Sequence, residues 1–172
     1  MTLSKPETYT PTLLTLCRVG EPGFDLDALK KLFTEYQQFL GIDLGFQGFA
    51  VELTGLPGKY HPDKRGQLYL ARYKNEPAGC VAIYEYNQSE NICELKRLYV
   101  RPAFHGKGIG KVLFATAIED AKALGYEKLY LDSLKRLASA RKLYDAFGFE
   151  EIAPYNENPQ PDVYYMELAL TD

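Results

Sequence analysis

Several residue types that build particular kinds of site are scarce in this chain of 172 residues. Three cysteines and two histidines, widely spaced, disfavour a disulfide framework, a zinc site or a cysteine–histidine nucleophile. No stretch approaches the roughly 20 apolar residues of a membrane span, and the formal net charge of −3 provides no general attraction for nucleic acid or an anionic membrane. These absences predict a cytoplasmic protein with reduced thiols that binds neither nucleic acid nor membrane.

The composition favours one folded domain over residues 1–172. The hydrophobic fraction is 46% and the charged fraction is 25%, both ordinary for a soluble globular protein. A chain of this length buries roughly 70% of the surface that its unfolded form exposes. No internal repeat, low-complexity tract or linker divides it.

Hydrophobic periodicity predicts alternating strands and helices. In chain order we expect a strand at 12–19, a helix at 25–41, a shorter helix at 46–56, a loop at 57–67, strands at 67–73, 78–86 and 91–100, a helix at 110–125, a strand at 127–132, a helix at 136–148 and a hairpin of 149–152 with 163–170. The first helix is expected to begin at a cap, Asp25, and to stop at Gly41. The apolar stripe of the third helix includes Val112 and Leu124.

Three glycines at alternate positions, Gly106, Gly108 and Gly110, separate a strand-like run from a helix-like run. A helix N-terminus has backbone N–H groups without internal partners and a partial positive charge, and glycines allow an anion to approach them closely. Lys107 and Lys111 would add charge. The segment predicts a phosphate site, although a glycine-rich turn without a ligand is the simpler alternative.

Two familiar phosphate loops differ from this one in spacing. A Walker A loop requires a glycine where the chain has His105 and a hydroxyl where it has Val112, so that loop is excluded. A dinucleotide loop requires a third glycine where the chain has Lys111. Asp132 ends the next strand, as a dinucleotide site would require, so a nicotinamide-dependent enzyme stays open at this point.

Residues 95–152 closely resemble the GNAT superfamily of acyl-CoA-dependent N-acetyltransferases, and a weaker resemblance extends from about residue 12 to the end. The matching positions are Leu98-Tyr99-Val100 at the end of a strand, Gly108-Ile109-Gly110 at the start of a helix, then Ala140, Leu143-Tyr144 and Gly148-Phe149. Two positions depart from the family pattern. His105 replaces the usual Gln or Arg, and Leu137 replaces a frequent Asn whose side chain contacts the cofactor arm.

The resemblance implies an α/β (α+β) fold: a mixed, mostly antiparallel sheet of about six to seven strands with splayed central strands and helices on both faces. It implies acetyl-CoA as co-substrate and direct acetyl transfer to a primary amine of a small molecule, amino acid or peptide. It places the pyrophosphate on the glycine loop and the pantetheine arm along backbone groups of Leu98 and Val100. The cofactor-binding residues that it implies are Leu98, Tyr99, Val100, His105, Gly106, Lys107, Gly108, Ile109, Gly110, Lys111, Ala140 and Tyr144.

The resemblance also implies two catalytic side chains. Tyr144 matches the tyrosine that donates a proton to the departing thiolate of CoA, although a helix tyrosine packed on the sheet is the alternative. Glu94 resembles the family base by position and would act directly or through a water. Its alternative is a rim carboxylate paired with Lys96 or Arg97.

The acceptor and the assembly are less determined by the sequence. Weaker base candidates are Glu85 and Asp132. In the loops that usually hold the acceptor in this superfamily, the charged residues are Asp43, Glu52, Glu157 and Asp162, which would suit a cationic amine, and Lys59, Lys64 and Arg65, which would suit a carboxylate. For both sets, plain solvated surface charges are the favoured alternative. Loss of the Asn at Leu137 favours a noncatalytic acyl-CoA-binding or regulatory module, whereas Tyr144 favours the enzyme. The chain could also form a homodimer.

Overall fold

Strands and helices alternate along the chain in the order that the periodicity predicts. The computed structural model describes residues 13–171, so residue 12 of the first predicted strand lies outside the described residues. The elements are β1 (Leu14–Val19), α1 (Phe24–Leu40), α2 (Phe49–Thr54), β2 (Gln67–Tyr73), β3 (Glu76–Asn87), β4 (Ile92–Val100), α3 (Ile109–Ala123), β5 (Lys128–Leu134), α4 (Ala138–Ala146), β6 (Glu150–Ile152) and β7 (Val163–Ala169). Short 3-10 turns lie at Leu44–Gln47, Gly58–Tyr60, Pro62–Lys64 and Pro102–Phe104.

The strands form one sheet in the order β1-β2-β3-β4-β5-β7-β6. Within residues 13–171, β4 and β5 are the only neighbours that run parallel, and every other neighbouring pair is antiparallel. β3 lies between β2 and β4 in the sheet. Its residues 78–83 are buried on both faces, which suits a strand in the middle of the antiparallel part of the sheet. The predicted mixed, mostly antiparallel sheet is confirmed.

Helices cover both faces of the sheet, as predicted. α3 and α4 pack on one face, where Leu113 and Phe114 are fully buried. α1 and α2 pack on the other face, where Leu29 and Phe33 are fully buried. Each helix presents an apolar stripe to the sheet, and burial of these stripes is the main stabilising contribution to the fold.

Two details of the predicted helices are wrong. α1 begins at Phe24 after Gly23, and Asp25 lies within its first turn and pairs with Arg72 at 2.6 Å instead of capping the helix. Val112 and Leu124 are each 38% exposed. They lie at the edges of the α3 stripe, since the buried face follows residues 109, 113, 117 and 121 at helical spacing.

The β4 and β5 strands separate part-way along their length. They pair only from Ile92 with Lys128 to Glu94 with Tyr130. Beyond that point a β-bulge sets Arg97 and Leu98 of β4 against one residue of β3. The bulge bends a strand and increases its twist, and the expected splayed central strands are confirmed by this split.

The cysteines are free, and the described helices are short or polar. Cys17, Cys80 and Cys93 are all free, and the last two are buried. Cys93 packs in the core next to α3, as predicted. Within residues 13–171, no helix has both the length and the apolar character needed to cross a bilayer.

Candidate active site

A cavity of about 530 Å³ fills the split between β4 and β5. One end is lined by the glycine loop and α4, the middle by β4 and β5, and the other end by α1 and the turn that follows it. The last group consists of Tyr36, Phe39, Leu40, Ile42, Leu44, Phe46 and Gln47. The cavity therefore joins an anion-binding type of loop to a mostly apolar chamber on the opposite face of the sheet.

The backbone of the glycine loop has φ angles that residues other than glycine rarely adopt. Gly106 and Gly108 have φ angles of 77° and 74°, and a Cβ at either position would have no atom within 4 Å. The first helical bond of α3 runs from the Val112 N–H to the Gly108 carbonyl at 3.1 Å. The N–H groups of residues 109–111 therefore have no acceptor within the helix and are available to an anion.

His105, the departure from the family pattern, contributes to the shape of this loop. Its Nε2 lies 2.8 Å from the carbonyl oxygen of Val100, which can only accept, so Nε2 carries the proton and donates. The bond connects the start of the loop to the last residue of β4. His105 thus stabilises the turn without occupying the N–H groups that follow it.

The backbone of β4 presents polar groups to the split. The Arg101 N–H donates to Ala78 of β3 at 2.8 Å, and Tyr99 directs its carbonyl at β3, since a Cβ on Gly79 would lie 2.7 Å from that oxygen. Because backbone groups alternate in direction along a strand, the Leu98 carbonyl and the Val100 N–H on either side of Tyr99 point into the split. These two groups can pair with an extended ligand.

Tyr144 lies in the wall of the cavity between the two ends. It is 5% exposed and packs against Phe114 and Phe149, with ring centroids 5.4 and 6.1 Å away. Burial raises the pKa of Tyr144 above its ordinary value of 10. The phenol is therefore protonated at neutral pH and can donate a hydrogen bond or a proton.

Glu94 lies at the point where the split begins, but it is not among the residues that line the cavity. The side chain is buried, and its two oxygens accept hydrogen bonds from Tyr84 and Tyr155, both at 2.6 Å. The Lys96 ammonium lies 3.5 Å from it. Arg97, the other cation considered as a partner, pairs with Glu52 instead.

Asp132 of β5 is the one carboxylate among the described residues that line the cavity. Its Oδ2 accepts a hydrogen bond from Asn156 Nδ2 at 2.9 Å, and the Tyr165 hydroxyl donates to Asn156 Oδ1 at 2.9 Å. These bonds orient the carboxylate from the side of β7. Glu85, the other weaker base candidate, pairs with Arg65 and does not line the cavity.

Comparison with known proteins identifies the family. The sequence profile of the Acetyltransferase (GNAT) family matches residues 28–149. This chain is a GNAT acetyltransferase. The matched segment runs from α1 to the residues before β6 and includes the glycine loop, the split and Tyr144.

Relatives and solved structures agree with this assignment. An uncharacterized N-acetyltransferase of Schizosaccharomyces pombe is 41% identical over 162 residues, which cover 94% of this chain and 98% of that protein. An acetyltransferase of Streptococcus agalactiae has the same fold, with a TM-score of 0.74, 17% identity and coverage of 91% of this chain and 98% of that one. An acetyltransferase of Salmonella typhimurium, solved with acetyl-CoA, has a TM-score of 0.72 at 16% identity over 94% of this chain and 96% of that one.

Most of the cofactor-binding residues that the resemblance implies line this cavity. They are Leu98, Tyr99, Val100, His105, Gly106, Gly108, Ile109, Gly110, Lys111, Ala140 and Tyr144. Lys107 does not line it, and its ammonium lies 4.8 Å from the ring centre of Tyr73. Gly110 has ordinary helical backbone, and a Cβ there would lie 3.7 Å from Val100. Leu137, which replaces the usual Asn, also lines the cavity and precedes α4.

The charged side chains of the cavity differ from those considered as acceptor contacts in the sequence analysis. None of the seven charged loop residues considered there lines the cavity. Asp43 accepts the Gly45 N–H within its own turn, and Glu52 pairs with Arg97. The charged side chains that β4 and β5 contribute to the cavity are Lys96, Arg97 and Asp132. The positive φ of Arg97, 62°, belongs to the bulge and has no local sequence signal.

Proposed function

We propose that this GNAT protein is an acetyl-CoA-dependent N-acetyltransferase that acts on a primary amine of a small molecule, amino acid or peptide. The observation that carries the proposal is the continuous cavity from the N-terminus of α3, past Tyr144, to the chamber under α1. A donor and an acceptor can approach one another only if they enter one connected space.

The residues at the loop end suit the pyrophosphate of CoA. Three unpaired N–H groups converge at residues 109–111, the helix dipole adds partial positive charge, and Lys111 lies on the same wall. The open space beside Gly106 and Gly108 allows phosphate oxygens to approach the backbone. An extended pantetheine arm would pair with Leu98 and Val100 as an added strand does.

Acetyl-CoA supplies an acetyl group activated as a thioester. A C–N bond to the amine forms as the C–S bond breaks, so one proton must leave the nitrogen and one must reach the sulfur. We propose that Tyr144 donates the proton to the sulfur. The Val100 N–H, directed into the split, would donate a hydrogen bond to the thioester oxygen as charge develops there.

Two carboxylates are proposed as the base that removes a proton from the amine. They differ in how directly they reach the cavity. Glu94, the base predicted from the sequence, would reach the amine only through a water or Lys96, because both of its oxygens accept hydrogen bonds from tyrosines. Asp132 lines the cavity directly, and its Oδ1 accepts no hydrogen bond from the part of the chain that the structure describes. Direct access favours Asp132.

Asp132→Asn and Glu94→Gln form a matched pair of isosteric changes that separates these two roles. We expect Asp132→Asn to lower kcat/KM by about tenfold. Glu94→Gln is expected to change kcat/KM little and to lower stability, because an amide offers one acceptor oxygen to two tyrosines. Steady-state kinetics and thermal unfolding of both variants provide the test. A lower kcat/KM for Glu94→Gln with little change for Asp132→Asn would assign the base role to Glu94.

Thiol release from acetyl-CoA in the presence of a panel of amines tests the function itself. We expect binding of CoA by calorimetry, no binding of NAD, and release of free CoA that depends on the added amine. Binding of CoA with no release for any amine would favour the noncatalytic acyl-CoA module. Binding of NAD without binding of CoA would favour the nicotinamide-dependent enzyme.

A further inference from the structure

Arg97 is a buried cation at the acceptor end of the cavity. Its side chain is 2% exposed, and Nε donates to Glu52 at 2.9 Å while Nη1 donates to Gln47 at 2.8 Å. The guanidinium carbon lies 5.2 Å from the ring centre of Phe49. The bulge in β4 therefore holds this guanidinium against the turn and helix that cover the chamber.

The Nη2 group of Arg97 has no hydrogen-bond partner among the described residues, although it is buried. Buried polar groups in folded proteins are almost always paired, and an unpaired charged donor is especially unfavourable. Among residues 13–171, the carboxylate that pairs with Arg97 is Glu52, which is shared with Tyr60 and Lys59. Arg97 lines the cavity, so an anionic group bound there would lie beside a guanidinium with one unsatisfied donor.

The charges on the two walls of the chamber have opposite sign. Lys96 and Arg97 line the β4 wall, and Asp132 lines the β5 wall. Tyr36 lines the same cavity, and burial raises its pKa to about 12. The rest of this end is mostly apolar.

We infer that the acceptor carries an anionic group, such as a carboxylate, in addition to its amine, and that Arg97 binds this group while Asp132 faces the amine. The inference rests on the proposed N-acetyltransferase activity and narrows its acceptor class to amino acids and similar zwitterionic compounds. The alternative is that Arg97 only joins β4 to the turn at Leu44–Gln47 and to α2.

Matched sets of acceptors test the inference on the wild-type protein. Each set contains an L-amino acid, its amide and the corresponding decarboxylated amine, for example phenylalanine, phenylalaninamide and phenethylamine; β-alanine and 2-aminoethylphosphonate extend the series. We expect kcat/KM to be at least tenfold higher for the anionic member. An amide has the less basic amine, which is more often unprotonated at neutral pH, so amine reactivity favours the amide and cannot produce the expected preference.

Arg97→Lys tests the residue, with Arg65→Lys as the matched control. Arg65 also pairs with a glutamate, Glu85, but it does not line the cavity. We expect Arg97→Lys to reduce the acid-to-amide ratio of kcat/KM at least tenfold, because one ammonium cannot serve both Glu52 and the acceptor, and Arg65→Lys to keep the ratio. Thermal unfolding reports whether each variant folds, and the wild-type panel decides the question if Arg97→Lys does not.

Equal or higher kcat/KM for the amides and decarboxylated amines would overturn this inference and leave the N-acetyltransferase activity in place. An unchanged ratio in a folded Arg97→Lys variant would also overturn it. Absence of thiol release with every compound would overturn the proposed function and this inference together.

Discussion

Tyr144→Phe is expected to lower kcat by about 100-fold or more while CoA binding changes little. The substitution removes only the phenolic oxygen, so the ring still packs against Phe114 and Phe149. Without a proton donor, the sulfur must leave as a thiolate in a partly dry cavity. Because burial raises the pKa of Tyr144, the wild-type phenol stays protonated through neutral pH, and the loss should be the same at every pH from 6 to 9.

Tyr164→Phe is the matched control for this experiment. Tyr164 is also a buried tyrosine of the same core, its hydroxyl has no hydrogen-bond partner among residues 13–171, and it does not line the cavity. Removal of an unpaired buried hydroxyl is expected to be neutral or slightly stabilising. Stopped-flow and steady-state thiol release measure the chemical step for both variants. Similar kcat values for Tyr144→Phe and the wild type would contradict the acid role.

Gly108→Val is expected to weaken CoA binding 10- to 100-fold, which corresponds to about 1.4 to 2.8 kcal/mol. At its φ of 74° a valine is strained and favours a different backbone. Any such change would turn the N–H groups of residues 109–111 away from a phosphate. The added methyl groups would also project into the open space beside the loop.

Gly125→Val provides the same strain at the other end of α3, with a φ of 85° and no atom within 4 Å of its Cβ. It should therefore cost similar stability but leave the Kd for CoA unchanged. Isothermal titration with CoA, together with chemical denaturation, separates the two effects. Equal affinity for CoA in both variants would show that the phosphates lie elsewhere.

Gly110 does not need the unusual backbone that the other two glycines of the loop adopt. The three alternate glycines suggest one shared requirement, yet Gly110 has helical backbone and room for a Cβ 3.7 Å from Val100. Only Gly106 and Gly108 need positive φ. A substitution at Gly110 therefore tests the approach of a ligand and not the conformation of the loop.

Local pattern was enough to predict the order of the elements, and the resemblance carried by residues 95–152 was enough to predict the family. A sequence displays the properties of neighbouring residues directly. These include helical and strand periods, turn-forming segments and the spacing from Gly108 to Tyr144. Helix boundaries were less accurate, as at Asp25, since a cap depends on where the preceding chain enters the helix.

The pairing of the charged residues around the cavity was decided by tertiary structure. Glu94 meets Tyr155, which is 61 residues away in the sequence, and Arg97 meets Glu52, which is 45 residues away. Strand order and the bulge in β4 bring these partners together, and no local period encodes either one. By itself the sequence determined a mixed α/β acetyltransferase fold with a glycine loop and Tyr144. Only the packed sheet determined which charges line the cavity, because burial and long-range pairing select them.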